Sequence, residues 1–540
     1  MSLSSKKLKS PSAQDGFEYF FFFLAIIVRI LFVFVFPPGG TDHDMLHIAA
    51  DNLLRNHGLS FALANPMDLS SITYMPMHQW PPLIGYLLAF TKLFIGSDRG
   101  VDIFLMSFGI LCLFFVLKYL MLSLRLNNIT RIVLWIILAT NPEPFTSLGL
   151  TDLYGCLFYL LSVILCLRTI EKEKASLKWV ILISAVFFLP AAFRYQYYIL
   201  IFLFPLFLLF TAKLSKNKSL FKVGVLSLLF VSLLLCLQMI LLHFASGKII
   251  TIADDQRGFY PLNLLKLYAF PLKGPLNISY LENHLINWGL PMVVVYKFIV
   301  WLITLFWSGY LIYLFIKDKS HLHNSSLSII RKSRILLFLA AMVVFILLLL
   351  LSLRFHPQGT GFGSFTYLSE GRYFMLVTLL FLLLLTSFTQ NNFYLKNLNR
   401  VIKVFTYAIL VLNLSLFLKF IYNVATDSLP KEAALWRSEQ THICNEIVKL
   451  KLQYNRPVVT MGNRDFLYLP VKKGYAAVSD FKTVFQIGLK TTHPVIVLFI
   501  TKETPAREEE LFIQQNHGVH LYSGSKCQLY SIVVNNQPAQ

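Results

Sequence analysis

Apolar runs of about twenty residues, the length a bilayer core demands, recur along this chain. The first is FEYFFFFLAIIVRILFVFVF at 17–36, and others lie near 99–121, 131–148, 151–168, 178–193, 196–212, 221–243, 291–316, 335–353, 372–389 and 401–422. The pattern predicts eleven membrane spans. Two of the polar segments between them are long, 37–98 and 246–290. The first reads as a short helix beginning near Met45, a polar loop, and a segment at 81–96 that opens on Pro81-Pro82. That last piece is too short for a full span and is expected to be an interfacial or re-entrant helix. From about residue 428 the spans stop and charge rises. Helical spacing over 431–451, the apolar runs RPVVTMGN and HPVIVLFITK, and the candidate strands GVHLYSG and CQLYSIVV predict a small α/β domain. The expected fold class is a polytopic all-α membrane protein of about eleven transmembrane helices with a small C-terminal α/β domain. Its parts are a tail at 1–16, a membrane domain at 17–427 whose first outer loop is 37–98, and the domain at 428–540.

Composition agrees. Of 540 residues 56% are hydrophobic, 49 are phenylalanine, and the mean hydropathy is +0.63, more than a soluble chain readily buries. No small-residue cleavage pattern follows the first run, so it reads as a retained span. The net charge of +21 would suggest nucleic acid in a soluble protein. With eleven spans, however, the loops rich in Lys and Arg all fall on one face, as the positive-inside rule expects. The segments 37–98, 246–290 and 428–540 then share the opposite, extracytoplasmic face. The six cysteines form no C-x-x-C pair, which leaves a zinc knuckle or redox motif unsupported; Cys444 and Cys527 could pair in an oxidising compartment.

Ionisable groups in or beside a bilayer are costly and therefore informative. Arg29 lies inside the first span, where it either snorkels outward or faces an internal cavity and meets an anion. Asp42 and Asp44 form D-H-D just beyond that span. Either could cap the helix that follows. Two carboxylates at a membrane mouth could also take a proton from a hydroxyl or hold a divalent cation. His43, His47 and His57 are close by and more often interfacial than ligating, and His78 opens the 81–96 segment. Glu143 sits between two prolines. Asp152 begins the fourth span, as a cap or a functional acid. Arg194 and the S-E-G-R-Y run containing Glu370, Arg372 and Tyr373 stand at outer ends of spans, against the positive-inside trend, where a guanidinium fork suits phosphate. The long loop adds Asp254, Asp255, Arg257 and Lys273, and its length favours a functional role. A mouth acidic at one point and basic at another suits transfer from an anionic lipid carrier better than ion permeation.

Several of these segments resemble the GT-C superfamily of polyprenyl-phosphate-sugar-dependent membrane glycosyltransferases. The similarity is closest to the bacterial branch related to protein O-mannosyltransferases and the aminoarabinose transferase of lipid A. It is carried by Arg29 in the first span, by G-T-D-H-D followed by H-I-A-A-D-N-L-L-R-N-H-G, by W-P-P-L-I-G-Y-L-L, by T-D-L-Y-G-C-L-F-Y-L-L, and by F-R-Y-Q-Y and E-G-R-Y-F. The layout matches over roughly 17–400; where the family often has an aromatic after the first Asp, this chain has Leu46.

The resemblance implies a multi-pass protein of the bacterial inner membrane with extracytoplasmic catalytic loops. It implies an inverting transfer from a polyprenyl-phosphate-linked sugar to a lipid, glycan or protein hydroxyl. Asp42 would be the base, with Asp44 second. Glu143 or Asp152 would match a second acidic residue, and Arg194 or Arg372 would hold the phosphate. A divalent cation, Mg or Mn, could sit on Asp42 and Asp44. Membrane lipids are expected partners and nucleic acid is not. The alternatives are a transporter or flippase of lipid-linked sugar, which would spread polar groups through the depth, and a surface-polysaccharide polymerase or ligase. An assembly protein would leave the outer carboxylates dispensable.

Overall fold

The computed structural model describes residues 13–35, 41–77, 81–141, 149–172, 176–246, 375–390, 396–426, 428–462, 476–478, 481–524 and 527–535, with isolated positions between 295 and 346. The loop after residue 246 and the spans expected at 291–316 and 335–353 lie outside these residues. The chain divides into two compact units, one of residues 1–37, 102–240 and 251–419, the other of 38–101, 241–250 and 420–540.

The first unit is helical. Its described helices are α1 (Ala13–Val35), most of α4 (Asp98–Ser123), α5 (Asn128–Thr140), α6 (Leu150–Glu171), α7 (Leu177–Phe193), α8 (Leu203–Ser215), most of α9 (Lys218–Ser246), α10 (Met375–Gln390) and most of α11 (Lys396–Ala425). Among the described residues, six segments are long and apolar enough to cross a membrane: Gly16–Val35, Asp98–Ser123, Leu150–Glu171, Tyr195–Lys213, Lys218–Phe244 and Lys403–Tyr422. Asn128–Thr140, Leu177–Phe193 and Met375–Leu384 are shorter apolar helices. The chain is thus a polytopic α-helical membrane protein. Phe17, Phe20, Phe23, Ile27 and Leu31 of α1 are exposed while Phe22, Ala25, Ile26 and Val33 are buried. One stripe faces lipid and the other packs inward. α6 is apolar all round and buried on nearly every face, the mark of a central helix. Its Gly155 lets Tyr197 close on the helix, since a Cβ there would stand 2.7 Å from the ring.

The turns have local causes. Asn127 caps α5 by accepting from Thr130 N at 2.8 Å, and Ser176 caps α7 by accepting from Trp179 N at 3.3 Å. After Pro190 the chain leaves α7 at Arg194 in extended conformation and passes through short 3₁₀ turns into α8. Helices α1 and α5 run parallel: Glu18 meets Trp135 near one end, and Arg29 meets Leu138 and Asn141 near the other. Both were expected to be odd-numbered spans, which must run in the same direction.

The second unit holds α2 (Thr41–Leu54), β1 (Ser60–Asn65), β2 (Asp68–Pro76), α3 (Leu83–Lys92), α12 (Ser428–Tyr454), β3 (Val458–Gly462), β4 (Ala476–Ala477), α13 (Phe481–Ile487), β5 (Val495–Lys502), α14 (Arg507–Gln515), β6 (Val519–Ser523) and β7 (Cys527–Val534). The strands form one mixed seven-stranded sheet in the order β2-β1-β4-β3-β5-β7-β6. β1, β4, β3 and β5 run parallel to one another; β2, β7 and β6 pair antiparallel. Ile443, Ile447 and Leu450, spaced as one face of α12, pack on Val458, Ile496, Leu498, Ile500 and Leu529. Gly462 is required where β3 meets β5: its φ is +114°, and a Cβ would fall 2.1 Å from the Ile500 carbonyl oxygen.

The polar loop expected after α2 is a β-hairpin instead. Asn65 turns it by accepting from Met67 N at 2.9 Å. Asp68 then ties the hairpin to the C-terminal segment, accepting from Thr492 N at 3.0 Å and Thr492 Oγ1 at 2.8 Å. Leu69 N donates to the Lys490 carbonyl at 2.9 Å. Burial pushes the Asp68 carboxyl up, but donors from Ser70 and Thr492 outweigh it and hold the group at about 2. Segment 81–96 gives α3, whose Ile84, Gly85, Leu88 and Ala89 are buried while Tyr86, Phe90, Leu93 and Phe94 form an exposed apolar stripe. That stripe has the form of an interfacial helix.

Candidate functional site

The D-H-D stretch is the first turn of α2, not a loop ahead of it. The side chain of Asp42 lies outside the described residues; Asp44 is half-buried. Between them His43 points into the protein, and His47, one turn on, is fully buried. Their Nε2 atoms are 3.2 Å apart. A carboxylate oxygen of Asp102 completes a group whose ligand atoms all lie within 4.8 Å of one another. The division between the two units falls inside α4, between Val101 and Asp102, so Asp102 stands one turn beyond Asp98 on a continuous helix.

This group can hold a divalent cation. Two imidazole nitrogens bound tetrahedrally to one ion at about 2.0–2.1 Å stand roughly 3.3 Å apart, close to the separation found here. The neighbouring carboxylate also fits. His47 Nδ1 is 3.4 Å from Asp98 Oδ1, the outer carboxylate that orients a ligating imidazole. Lys92 Nζ fixes Asp98 from the other side at 2.8 Å, and also reaches Asp51 Oδ1 at 2.6 Å and the His47 carbonyl at 3.2 Å. The expected divalent cation therefore has a suitable site, made by His43, His47 and Asp102. Sequence reasoning passed over the two histidines as interfacial; their i, i+4 spacing was the available signal.

In the helical unit, Asp152 and Arg194 are brought together. Arg194 Nε is 2.9 Å from Asp152 Oδ1, with the Asp side chain 1% and the Arg side chain 13% exposed. Arg194 Nη1 donates to Thr151 Oγ1 at 2.9 Å. Asp152 lies in the first turn of α6, so its charge also meets the positive end of that helix.

Arg29 is 1% exposed and does not snorkel. Its Nε donates to the Leu138 carbonyl at 2.6 Å and its Nη2 to the Asn141 carbonyl, so it closes the C-terminal turn of α5. Its guanidinium also lies 5.5 Å from the Phe32 ring centroid. His57 is exposed and stacks on Tyr74 at 3.8 Å. No disulfide joins Cys444 and Cys527. The Cys527 thiol donates to Glu439 Oε2 at 3.5 Å, and burial together with that carboxylate pushes it up to about 12. His78, Glu143, Asp254, Asp255, Arg257, Lys273, Glu370, Arg372 and Tyr373 lie outside the described residues.

A polytopic helical unit, with a mixed sheet assembled from the first loop and the C-terminal strands, defines a class of membrane protein. No family model and no curated protein matches the sequence. Among solved structures, the crystal structure of ArnT from Cupriavidus metallidurans bound to undecaprenyl phosphate is similar, with a TM-score of 0.52 and 10% identity over 96% of this chain and 98% of that one. At this identity the likeness is one of fold: the chain has a membrane-protein fold resembling that of ArnT.

Proposed function

We propose that the protein is an inverting glycosyltransferase that moves a sugar from a polyprenyl-phosphate carrier to a hydroxyl of a lipid, glycan or protein acceptor. The observation that carries this reading is the likeness in fold, over nearly the whole of both chains, to a structure holding undecaprenyl phosphate. The order of residues along α2 supports it, because Asp42 and Asp44 flank His43, a member of the cation-binding group.

In this reading Asp42 takes the proton of the acceptor hydroxyl while its oxygen attacks the anomeric carbon. The bond from that carbon to the phosphate oxygen breaks, and polyprenyl phosphate leaves. Asp44 is the second choice for the base. Preorganised positive charge at the departing phosphate supplies much of the rate. Arg194 and Arg372 are the candidates for that task. The buried pairing of Arg194 with Asp152 favours Arg372 as the phosphate ligand and gives Arg194 the work of holding α6 and α7 in place. A divalent cation on His43, His47 and Asp102 would add a Lewis-acidic charge beside α2. The two imidazole ligands favour Zn over Mg, and the carboxylate suits Mn as well. The exposed stripe of α3 would keep this segment at the membrane surface, where a lipid-borne donor presents its sugar.

The test is transfer in vitro by the purified full-length protein from undecaprenyl-phosphate-linked sugars, comparing the native chain with Asp42→Asn. Product is expected only with the native chain, at equal folded yield. Near-normal turnover by Asp42→Asn removes the base assignment, and absence of transfer by the native chain across a panel of carriers and acceptors removes the function.

A further inference from the structure

A second cluster of buried charge lies in the helical unit and takes no part in the proposed chemistry. Glu18 of α1 is 2% exposed at its side chain, and Lys118 of α4 and Arg131 of α5 are 9% exposed each. Trp135 Nε1 donates to Glu18 Oε1 at 2.8 Å. Lys118 Nζ is 3.4 Å from Glu18 Oε2, and Arg131 Nε is 3.9 Å from Glu18 Oε1. Among the described residues neither of those nitrogens has a hydrogen-bond partner at ordinary geometry. Arg131 spends Nη2 on Asn128 Oδ1, and Lys118 lies over the rings of Tyr19 at 3.4 Å and Phe22 at 4.3 Å.

Among the described residues the sum of charge is uneven: one carboxylate faces two cations. A buried cation without a full complement of hydrogen bonds and counter-charge is expensive, so an additional anion would complete the group. Depth says which kind. The three residues sit in the opening turns of α1 and α5 and the closing turns of α4, where helices meet the headgroup layer. The same end of the helices carries other aromatic–cation pairs, Arg168 on Tyr119 and Lys172 on Trp179, typical of a membrane interface. Exposed Tyr19 and Phe115 border the cluster and face lipid.

We propose that Lys118 and Arg131 bind the phosphate of one anionic phospholipid, a singly charged phosphodiester that brings the cluster to neutrality. Its acyl chains lie along the exposed aromatic face of α1 and α4. The site is separate from the sugar-transfer reading and stands or falls without it.

Thermal unfolding of the purified full chain in neutral detergent tests the site, with phosphatidylglycerol, phosphatidylcholine or inorganic phosphate added. Phosphatidylglycerol is expected to raise the midpoint by roughly 3 °C or more through binding the folded state, and the other two are expected to leave it unchanged. Lys118→Met should abolish the difference between the two lipids. Glu18→Gln, which leaves both cations without their shared carboxylate, should be less stable in phosphatidylcholine yet gain more from phosphatidylglycerol than the native chain does. That variant decides the matter if Lys118→Met does not fold. Equal gains from the two lipids, equal gains from inorganic phosphate, or no extra gain in Glu18→Gln would each overturn the proposal, the last by reducing the cluster to a structural network.

Discussion

Arg194 and Asp152 form an ion pair that water scarcely reaches, with 2.9 Å between Nε and Oδ1. The pair links the first turn of α6 to the residue that ends α7. Removing one partner from a buried pair strands the other charge, at a cost of about 3–5 kcal/mol. Asp152→Asn and Arg194→Gln should each lower the thermal midpoint sharply, and the double variant should recover part of the loss. Additive losses in the double variant would show that the two side chains do not act as a pair.

Arg372 makes the contrasting case. As the proposed phosphate ligand it should matter for the donor and little for folding. Arg372→Ala is expected to weaken binding of undecaprenyl-phosphate-linked sugar, by about tenfold or more for a charge-assisted contact, with an unchanged unfolding midpoint. Titration of the donor against purified protein gives the answer, and unaltered affinity removes the assignment.

The cation site makes a prediction that needs no turnover assay. After chelation and dialysis against Zn or Mn, the native chain should retain about one ion by elemental analysis, and His43→Ala and His47→Ala should retain far less. Asp98→Asn, which lies against the far nitrogen of His47 and is not one of the three ligands, should weaken affinity by about 10–100-fold without abolishing it. Metal retained equally by both histidine variants would mean the ion sits elsewhere.

Asp68 predicts a dependence on acid. Its carboxyl is held at about 2 in the folded chain against an ordinary value of 3.8. A group whose folded value is depressed contributes stability above its unfolded value and loses it as pH falls through the folded one. The attachment of the β1–β2 hairpin should therefore be intact above about pH 4 and weaken between about pH 4 and 2. Amide exchange at β2, compared between the native chain and Asp68→Asn, reads this directly. The variant should exchange faster at neutral pH and show no such acid step; identical profiles would leave Asp68 without its anchoring role.

Much of the helical unit is legible in the sequence because a bilayer imposes its own length on every apolar run. That 81–96 is too short to span was legible from its length, and the helix found there, α3, has ten residues and an outward apolar stripe. The hairpin was not legible as part of the sheet. Ser60–Asn65 pairs with a strand of two residues, Ala476–Ala477, and Ser70 meets Thr492 across 422 positions. No local pattern reports such a pairing, although Asn65-Pro66 and the run Ile72-Thr73-Tyr74 were turn and strand signals. Glu18 escaped notice because it sits among phenylalanines at a span edge, and its worth appears only when Lys118 and Arg131 come alongside. Arg29 was weighed as a lipid-snorkelling or anion-facing group; it is buried, and backbone carbonyls at the end of α5 are among its partners, which side-chain chemistry alone does not announce.

The shared sheet carries an arithmetical consequence for the path of the chain. β1 and β2 follow α1, whereas β3 to β7 come after α11, and hydrogen-bonded strands cannot continue through hydrocarbon. Both groups must therefore occupy the same compartment. The polypeptide between residue 98 and α12 then has to cross the bilayer an even number of times, and with α1 the total is odd. A single charge substitution that turned one middle helix out of the membrane would place β1 and its parallel neighbour on opposite sides, so the sheet acts as a tally of every crossing made between them.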